Sequence, residues 1–449
     1  LSATRVGAKF GSRERSADAG PGSLGVGHGD APLSRAQERF WISEEFTPGD
    51  ADNVIVLAYA LRGPLDTQRF EAALSQVVAR HPVLRTVYPY AGNGAVQRTL
   101  PMDNAVVALE HTTAPHHAEE GDLRELAEVV SADWWGKPTD LEAEPSLRLR
   151  LCCVDERTHL FCIRLHHLAF DGWSESLFME DLAAAMERDI PLVEPPHVTY
   201  AGYSTWERDQ LDSWLGQDLP YWRKALKQSP RPFLPHPSTA TQGRRVESVL
   251  RVSPEAVTRL TRMPDTFGGP SVSVLLAAAA RSLSQVFDVE DLCLGTVSTG
   301  RHTPGLESII GCFINSLSIP LTSVPARNAA DLLDTCARTV VSAFQHARTP
   351  FDELVRTLKP KRDRHPWFQV WVILQCEPPR VRLGEGVDVE PLRVRPPHTG
   401  FELMIEALPQ PSGAWELVVS RRADGMSEAQ ADRLLEELGN ALHELSGAV

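Results

Sequence analysis

No stretch of this sequence approaches the roughly 18 consecutive apolar residues that a bilayer-spanning helix needs, so a helical membrane span is excluded. No positively charged start runs into an apolar segment, and a secretory signal is therefore not expected. Cysteine is sparse and odd in number, seven in all, with none at zinc-ligand spacing; Cys152 and Cys153 are adjacent. A reduced, cytoplasmic protein with buried thiols and no metal is the simplest account. Positive charge is also short. Lys and Arg number 45 against 59 Asp and Glu, a formal net charge of −14 that argues against a general binder of nucleic acid or membrane surfaces. What is present is ordinary for a globular protein: 42% apolar and 23% charged residues over 449 positions, enough for two lobes with separate cores.

Residues 1–32 are rich in Gly, Ser, Ala and Arg without an apolar period, and read as a disordered tail. Folding is expected to begin at Leu33-Ser34, with a capped helix carrying Phe40 and Trp41. Val54 to Leu61 reads as a strand ended by Gly63-Pro64. Asp66 or Thr67 then caps a helix with Phe70, Ala73, Leu74, Val77 and Val78 on one face, and Pro82 stops it near His81. Between His111 and Asp122, His116 and His117 lie near Glu119 and Glu120; a solvated loop is favoured over a metal site because no regular spacing converges them. Pro191 to Pro196 is the stiffest linker in the chain, and is taken as the hinge between a first lobe, 33–190, and a second, 191–449.

The chain is organised around Leu165-His166-His167-Leu168-Ala169-Phe170-Asp171-Gly172-Trp173-Ser174. The preceding residues alternate as a strand, with Phe161, Ile163, Leu165 and His167 on one face and Leu160, Cys162, Arg164 and His166 on the other. The two histidines thus point apart, which weakens a shared metal site and leaves one free to act as a base. After Asp171-Gly172 a helix begins, for which Ser174 is a good N-cap and Trp173 a staple onto Phe178. His167 is expected to face a cleft between the lobes.

The string HHxxxDGxS resembles the active-site motif of the chloramphenicol-acetyltransferase-like superfamily, and in particular the condensation domains of nonribosomal peptide synthesis. Further segments resemble that family's signatures in order. They are Ser34-Arg35-Ala36-Gln37-Glu38-Arg39-Phe40-Trp41, Arg80-His81-Pro82-Val83-Leu84-Arg85-Thr86 and Tyr200 to Trp206, the last with Gly202 where an aspartate is usual. Gly311-Cys312-Phe313-Ile314-Asn315-Ser316, Gln345 to Asp352 and Arg364 to Gln369 complete the set. The resemblance covers roughly residues 33 to 446. It implies an α/β (α+β type) fold of two acetyltransferase-like lobes in a V-shaped pseudo-dimer, with a tunnel between them.

The resemblance also implies a function: transfer of an acyl or aminoacyl group from a carrier protein's phosphopantetheine thioester to an amine or alcohol. The partners would be a peptidyl or acyl carrier protein as donor, a small or carrier-bound acceptor, and no nucleic acid or membrane; the chain itself is expected to be monomeric and free of cofactor. His167 would be the base, with His166, Asp171 and Gly172 completing the motif. Asp171 would pair with an arginine, Arg301 first and Arg85 second; Arg85 could equally be a surface charge. Asn315 and Ser174 would support the loop. Two alternatives share the fold: a non-catalytic carrier-docking module, and an acyltransferase that uses acyl-CoA. The sequence contains no GxSxG elbow and no adenylation-type phosphate loop. The run Phe267-Gly268-Gly269-Pro270-Ser271 reads as the cap of a helix, not as a carrier attachment site. A condensation unit alone, probed most directly by mass spectrometry of a loaded carrier, is the expectation.

Overall fold

The computed structural model describes residues 29–447, apart from 93, 105–107, 115–122, 188–197, 228, 231, 238–242, 268 and 361–364. The hinge expected at Pro191 to Pro196 and the His116-His117 loop lie outside the described residues. Chain order begins earlier than expected from the composition of the tail. Ala31–Pro32 (β1) already pairs with Gly94–Thr99 (β5), and Arg98 bonds Asp30. Thr86–Val87 (β3) and Tyr90–Ala91 (β4) complete this small sheet.

Two larger sheets carry the fold. The first contains Val54–Arg62 (β2), Leu109–Thr113 (β6), Arg148–Cys153 (β7), Thr158–His166 (β8), Arg382–Leu383 (β13) and Val387–Leu392 (β14), in the order β13-β14-β2-β8-β7-β6. One face is covered by Thr67–Arg80 (α2) and Gly172–Glu187 (α4), which bury Phe70, Leu74, Val77, Phe178 and Leu182 against Tyr59, Phe161, Ile163 and Leu165. Leu123–Ser131 (α3) covers the other, with Ala127 and Leu126 on Ala60, Leu160 and Cys162. Every residue of β8 is buried, because both faces of this central strand are packed. Its two faces divide as the alternation requires. Each large apolar side chain taken fully out of water here contributes on the order of 1.5–3 kcal/mol.

The second sheet runs β11-β10-β12-β16-β17-β9-β15. Its strands are Gly243–Val252 (β9), Leu292–Ser298 (β10), Asn315–Leu321 (β11), Val370–Leu374 (β12), His398–Thr399 (β15), Leu403–Pro409 (β16) and Trp415–Arg422 (β17). Pro254–Phe267 (α6), Val272–Phe287 (α7), Ala329–Gln345 (α8) and Glu428–Ser446 (α10) fill one side. The other side carries Cys293, Trp371 and Met404 under Phe351 and Phe368. Arg35–Phe46 (α1), Tyr200–Ala225 (α5) and Phe351–Leu358 (α9) run at the junction of the two sheets. Ser271 does precede α7, but its side chain makes no capping bond.

Strand β14, from the C-terminal third, pairs antiparallel with β2 from Arg62↔Asp388 to Ala58↔Leu392. It extends the first sheet because β2 would otherwise present an unpaired edge. The mixed sheets and helices are the α/β architecture expected from the resemblance.

Candidate active site

Strand β8 ends at His166, and a 3-10 turn over His167–Ala169 leads to α4. His166 is fully buried. Its Nδ1 accepts the Leu168 N–H at 3.2 Å, so the ring proton sits on Nε2, 3.4 Å from Glu44 Oε2. Glu44 also accepts from the Gly49 and Thr139 N–H groups, at 2.9 and 3.2 Å. Burial and, opposing it, the bond to Glu44 set the His166 imidazole, which is held below its usual range. This residue is a bolt inside the first lobe.

His167 turns the other way. Its ring stacks on Phe40 of α1 at 4.6 Å and 8°. Nδ1 lies 4.0 Å from Cys312 Sγ, and the side chain hydrogen-bonds to its own backbone carbonyl. Only a ring N–H can donate to a carbonyl, so one ring nitrogen carries the proton and the other keeps a lone pair. Burial depresses the imidazole to about 4, and the Arg39 cation adds to the depression; its own carbonyl and Asp171 oppose it. At neutral pH the ring is uncharged. It lies where α1 meets the Cys312 segment, at the junction of the two sheets.

Asp171 and Arg301 meet here. Asp171 Oδ2 is 2.7 Å from Arg301 Nη1 and accepts the Phe313 N–H at 3.0 Å; Oδ1 accepts from Arg301 Nη2 at 3.1 Å and from the Ser174 N–H at 3.0 Å. Both side chains are almost wholly buried. The guanidinium also donates to the Ile309 carbonyl at 3.1 Å and lies over the Phe313 ring at 4.3 Å. The pair spans 130 residues and fastens the motif turn to the strand-linking segment of the second lobe.

Ser174 plays a different part from the N-cap expected of it. Helix α4 starts at Gly172, so Asp171 takes the capping position with its carboxylate on the Ser174 N–H, and Ser174 is the third helical residue. A carboxylate at the cap outranks a hydroxyl two residues inside the helix. The freed Ser174 Oγ lies 2.8 Å from Asp171 Oδ1 and 3.0 Å from the Gly311 carbonyl, and accepts the Gly311 N–H at 3.0 Å. Trp173 does not staple onto Phe178; its indole N–H reaches the Glu307 carbonyl at 3.0 Å. Gly172 is exposed, and a Cβ there would only touch Gln375 Oε1 at 3.9 Å.

Asn315 holds the following loop: Nδ2 donates to the Ala347 and Thr349 carbonyls at 2.9 and 2.7 Å, and Oδ1 accepts the Phe351 N–H at 3.0 Å. Arg85 is not brought to Asp171. Its Nε and Nη1 are buried without a hydrogen-bond partner among the described residues, and burial lowers the guanidinium. Several residues that complete the site carried no signal of their own in the sequence. Glu44 and Cys312 meet their histidines from 122 and 145 residues away, and Phe40 reaches His167 from α1. Gly300, next to Arg301, has a φ of +68°, and a Cβ there would lie 1.8 Å from the Phe313 carbonyl oxygen, so no side chain fits.

A cleft opens beside this arrangement, between α1, α5 and residues 300–315 and 347–352. Arg39, Glu207, Trp214, His302, Phe313 and Asp352 are on its wall; His167 is not. Among the described residues no group of three His, Cys, Asp or Glu side chains could hold a metal ion. His111 bonds Glu71 at 2.6 Å instead. No helix of the described residues is long and apolar enough to cross a membrane.

The fold is shared with solved structures. The X-domain in its complex with OxyB from teicoplanin biosynthesis superposes with a TM-score of 0.78 at 23% identity, over 98% of this chain and 97% of that one. The first condensation domain of the CDA synthetase gives 0.79 at 20% identity, over 94% and 97%. At such identities these are likenesses of fold. The chain belongs to the condensation-domain family, whose model matches residues 28–447. It is 31% identical over 361 residues to the phosphinothricin tripeptide synthetase PhsC of Streptomyces viridochromogenes, and 30% identical over 366 residues to the isonitrile lipopeptide synthase of Mycobacterium tuberculosis. Each match takes in 77% of this chain, but only 33% and 14% of those relatives' own lengths. The protein is thus a condensation domain of the nonribosomal peptide synthetase type.

Proposed function

We propose that this condensation domain catalyses acyl transfer from a carrier-protein thioester to an amine or alcohol, with His167 as the base. The observation that carries the reading is the state of that histidine. Its ring is neutral, fixed by stacking on Phe40, and bonded to its own carbonyl, so one ring nitrogen keeps a lone pair for a substrate. The acceptor N–H or O–H gives its proton to that nitrogen as the heteroatom attacks the thioester carbonyl. The tetrahedral adduct then collapses, the C–S bond breaks, and the departing thiolate takes the proton back from His167. Asp171, Arg301 and Ser174 act through position: they hold the turn that carries the base. The phosphopantetheine arm belongs to the carrier and enters as part of the donor substrate, through a tunnel between the lobes. The domain works as a monomer in the cytoplasm.

Intact-protein mass spectrometry of an acyl-loaded carrier, offered a panel of amines and alcohols, tests this. Loss of the acyl mass from the carrier, with matching product and dependence on His167, supports it. A second reading has its own support, since X-domains, among them the one solved with OxyB, share the fold. In that reading the domain docks a partner without chemistry. A carrier that binds yet keeps its acyl group against the whole panel would favour it.

A further inference from the structure

The cleft beside the site has an unusual balance of polar groups. Arg35, Arg39 and Arg348 line it. Arg35 is committed, to Glu38 at 2.6 Å and to Glu353 at 2.9 Å, and Arg348 donates to Gln217 at 2.9 Å. Arg39 is different. Its guanidinium bonds the Ser316 hydroxyl at 3.1 Å and lies over the Phe40 ring at 4.7 Å, and among the described residues it has no carboxylate within salt-bridge distance. A second donor is idle. Trp214 is only 5% exposed on the same wall, and its indole N–H has no acceptor among the described residues, which is costly for a group out of water.

The acids on the wall do not cancel this. Glu207 already accepts from the Arg35 N–H and the Tyr203 hydroxyl, at 2.8 and 3.0 Å, and burial raises its carboxyl. Asp352 is exposed and makes no salt bridge to Arg39. The walls between are aromatic: Tyr203, Trp206, Phe313 and Phe351. Arg39 is also close enough to His167 for its charge to act on the imidazole.

We propose that the cleft binds the acceptor by a carboxylate, with Arg39 as its ion-pair partner, the Trp214 N–H as a second donor, and the aromatic wall against an apolar or aromatic body. The acceptor class is then an amine or alcohol that also bears a carboxylate. This rests on the acyl-transfer reading for the word acceptor, but the site can be tested without turnover.

The experiment uses two unreactive, product-like probes, N-acetyl-L-phenylalanine and its neutral amide, titrated calorimetrically into the whole protein. The acid is expected to bind at least ten-fold more tightly than the amide. Arg39→Gln should abolish that preference, Arg39→Lys should restore part of it, and Trp214→Phe should weaken the acid several-fold while leaving the amide unchanged. Melting curves establish that each variant is folded, and Trp214→Phe serves should Arg39→Gln not fold. Equal binding of the two probes, no binding of either, or a preference unmoved by both substitutions overturns the proposal. So does displacement by phosphopantetheine where the acid fails, because the cleft would then hold a carrier's arm. If the acid binds through Arg39 and no acceptor in the turnover panel reacts, the site stands and the acyl-transfer reading falls.

Discussion

Replacing Asp171 by Ala removes the centre of the inter-lobe fastening, and the structure sets the size of the effect. The carboxylate accepts from both Arg301 nitrogens, from the Ser174 and Phe313 N–H groups, and lies against the Ser174 hydroxyl. Without it Arg301 keeps the Ile309 carbonyl and the Phe313 ring, yet remains a buried cation with only 3% of its side chain exposed. Breaking such a pair costs about 3–5 kcal/mol. Asp171→Asn keeps an oxygen for the Ser174 N–H but turns an amide toward the guanidinium, and should cost less than Ala. Arg301→Ala leaves a carboxylate that still has its two N–H donors. The double variant should therefore be more stable than the two single losses predict, by about 1–3 kcal/mol. Urea unfolding midpoints, followed by far-UV circular dichroism for wild type, both single variants and the double, measure this coupling. Additivity within about 0.5 kcal/mol would refute the reasoning. The same cycle run with Arg85→Ala should be additive, since the structure gives that guanidinium no contact with Asp171.

Four further outcomes follow from the geometry. His167→Ala should slow acyl transfer by about 10²–10⁴-fold in carrier-unloading assays while leaving the melting curve close to wild type; an unchanged rate at saturating substrate excludes the base. The depressed imidazoles of His167 and His365, both about 4, give a pH signature. The unfolded chain takes up these protons near 6.5 and the folded one only near 4, so their contribution to stability is complete above 6.5 and lost as pH falls from there to 4. Transfer rates should accordingly show no loss of base between about pH 8 and 5.5. Asp52 behaves in the opposite sense: burial and Asp50 push its carboxyl up to about 7, although Gly400 N–H and Thr399 donate to it at 2.6 and 3.1 Å. Its folded form favours the proton, so stability falls as pH rises from about 4 through 7. Asp52→Asn should then raise the melting temperature more at about pH 8 than at about pH 5; a difference that does not change with pH discards the assignment. Gly300→Ala, with its Cβ driven into the Phe313 carbonyl, should destabilise by more than the roughly 1–3 kcal/mol of a strained backbone residue alone, as read by urea midpoints.

The motif corner was legible because its information is local. Side-chain alternation along Thr158–His166 separates the two histidines, and the Asp-Gly turn announces the helix. Arg301 was legible only through the family resemblance, since no spacing rule joins positions 130 apart. What stayed hidden was the identity of distant neighbours. Nothing in Glu44 marks it as the partner of His166, and nothing in Val387–Leu392 marks it as part of the first sheet, because a period-two pattern gives a strand its faces but not its neighbour. The error at Ser174 was one of competition. Ser is a good cap in general, but here Asp171 caps the helix three residues earlier, on the Ser174 N–H itself.

Strand β14 has a bearing on how the protein is made. Its partner β2 leaves the ribosome with one edge bare, and the residues that cover that edge are translated roughly 330 positions later. At ~5–20 residues per second the interval is on the order of 15–65 s. During it the first sheet must hold α2 and α4 against an incomplete edge, at the stage where bare strands recruit other chains. Slowing synthesis between residues 62 and 387 should therefore lower the yield of soluble protein, and chaperones that shelter strand edges should restore it. The first sheet closes only once Val387–Leu392 has been made.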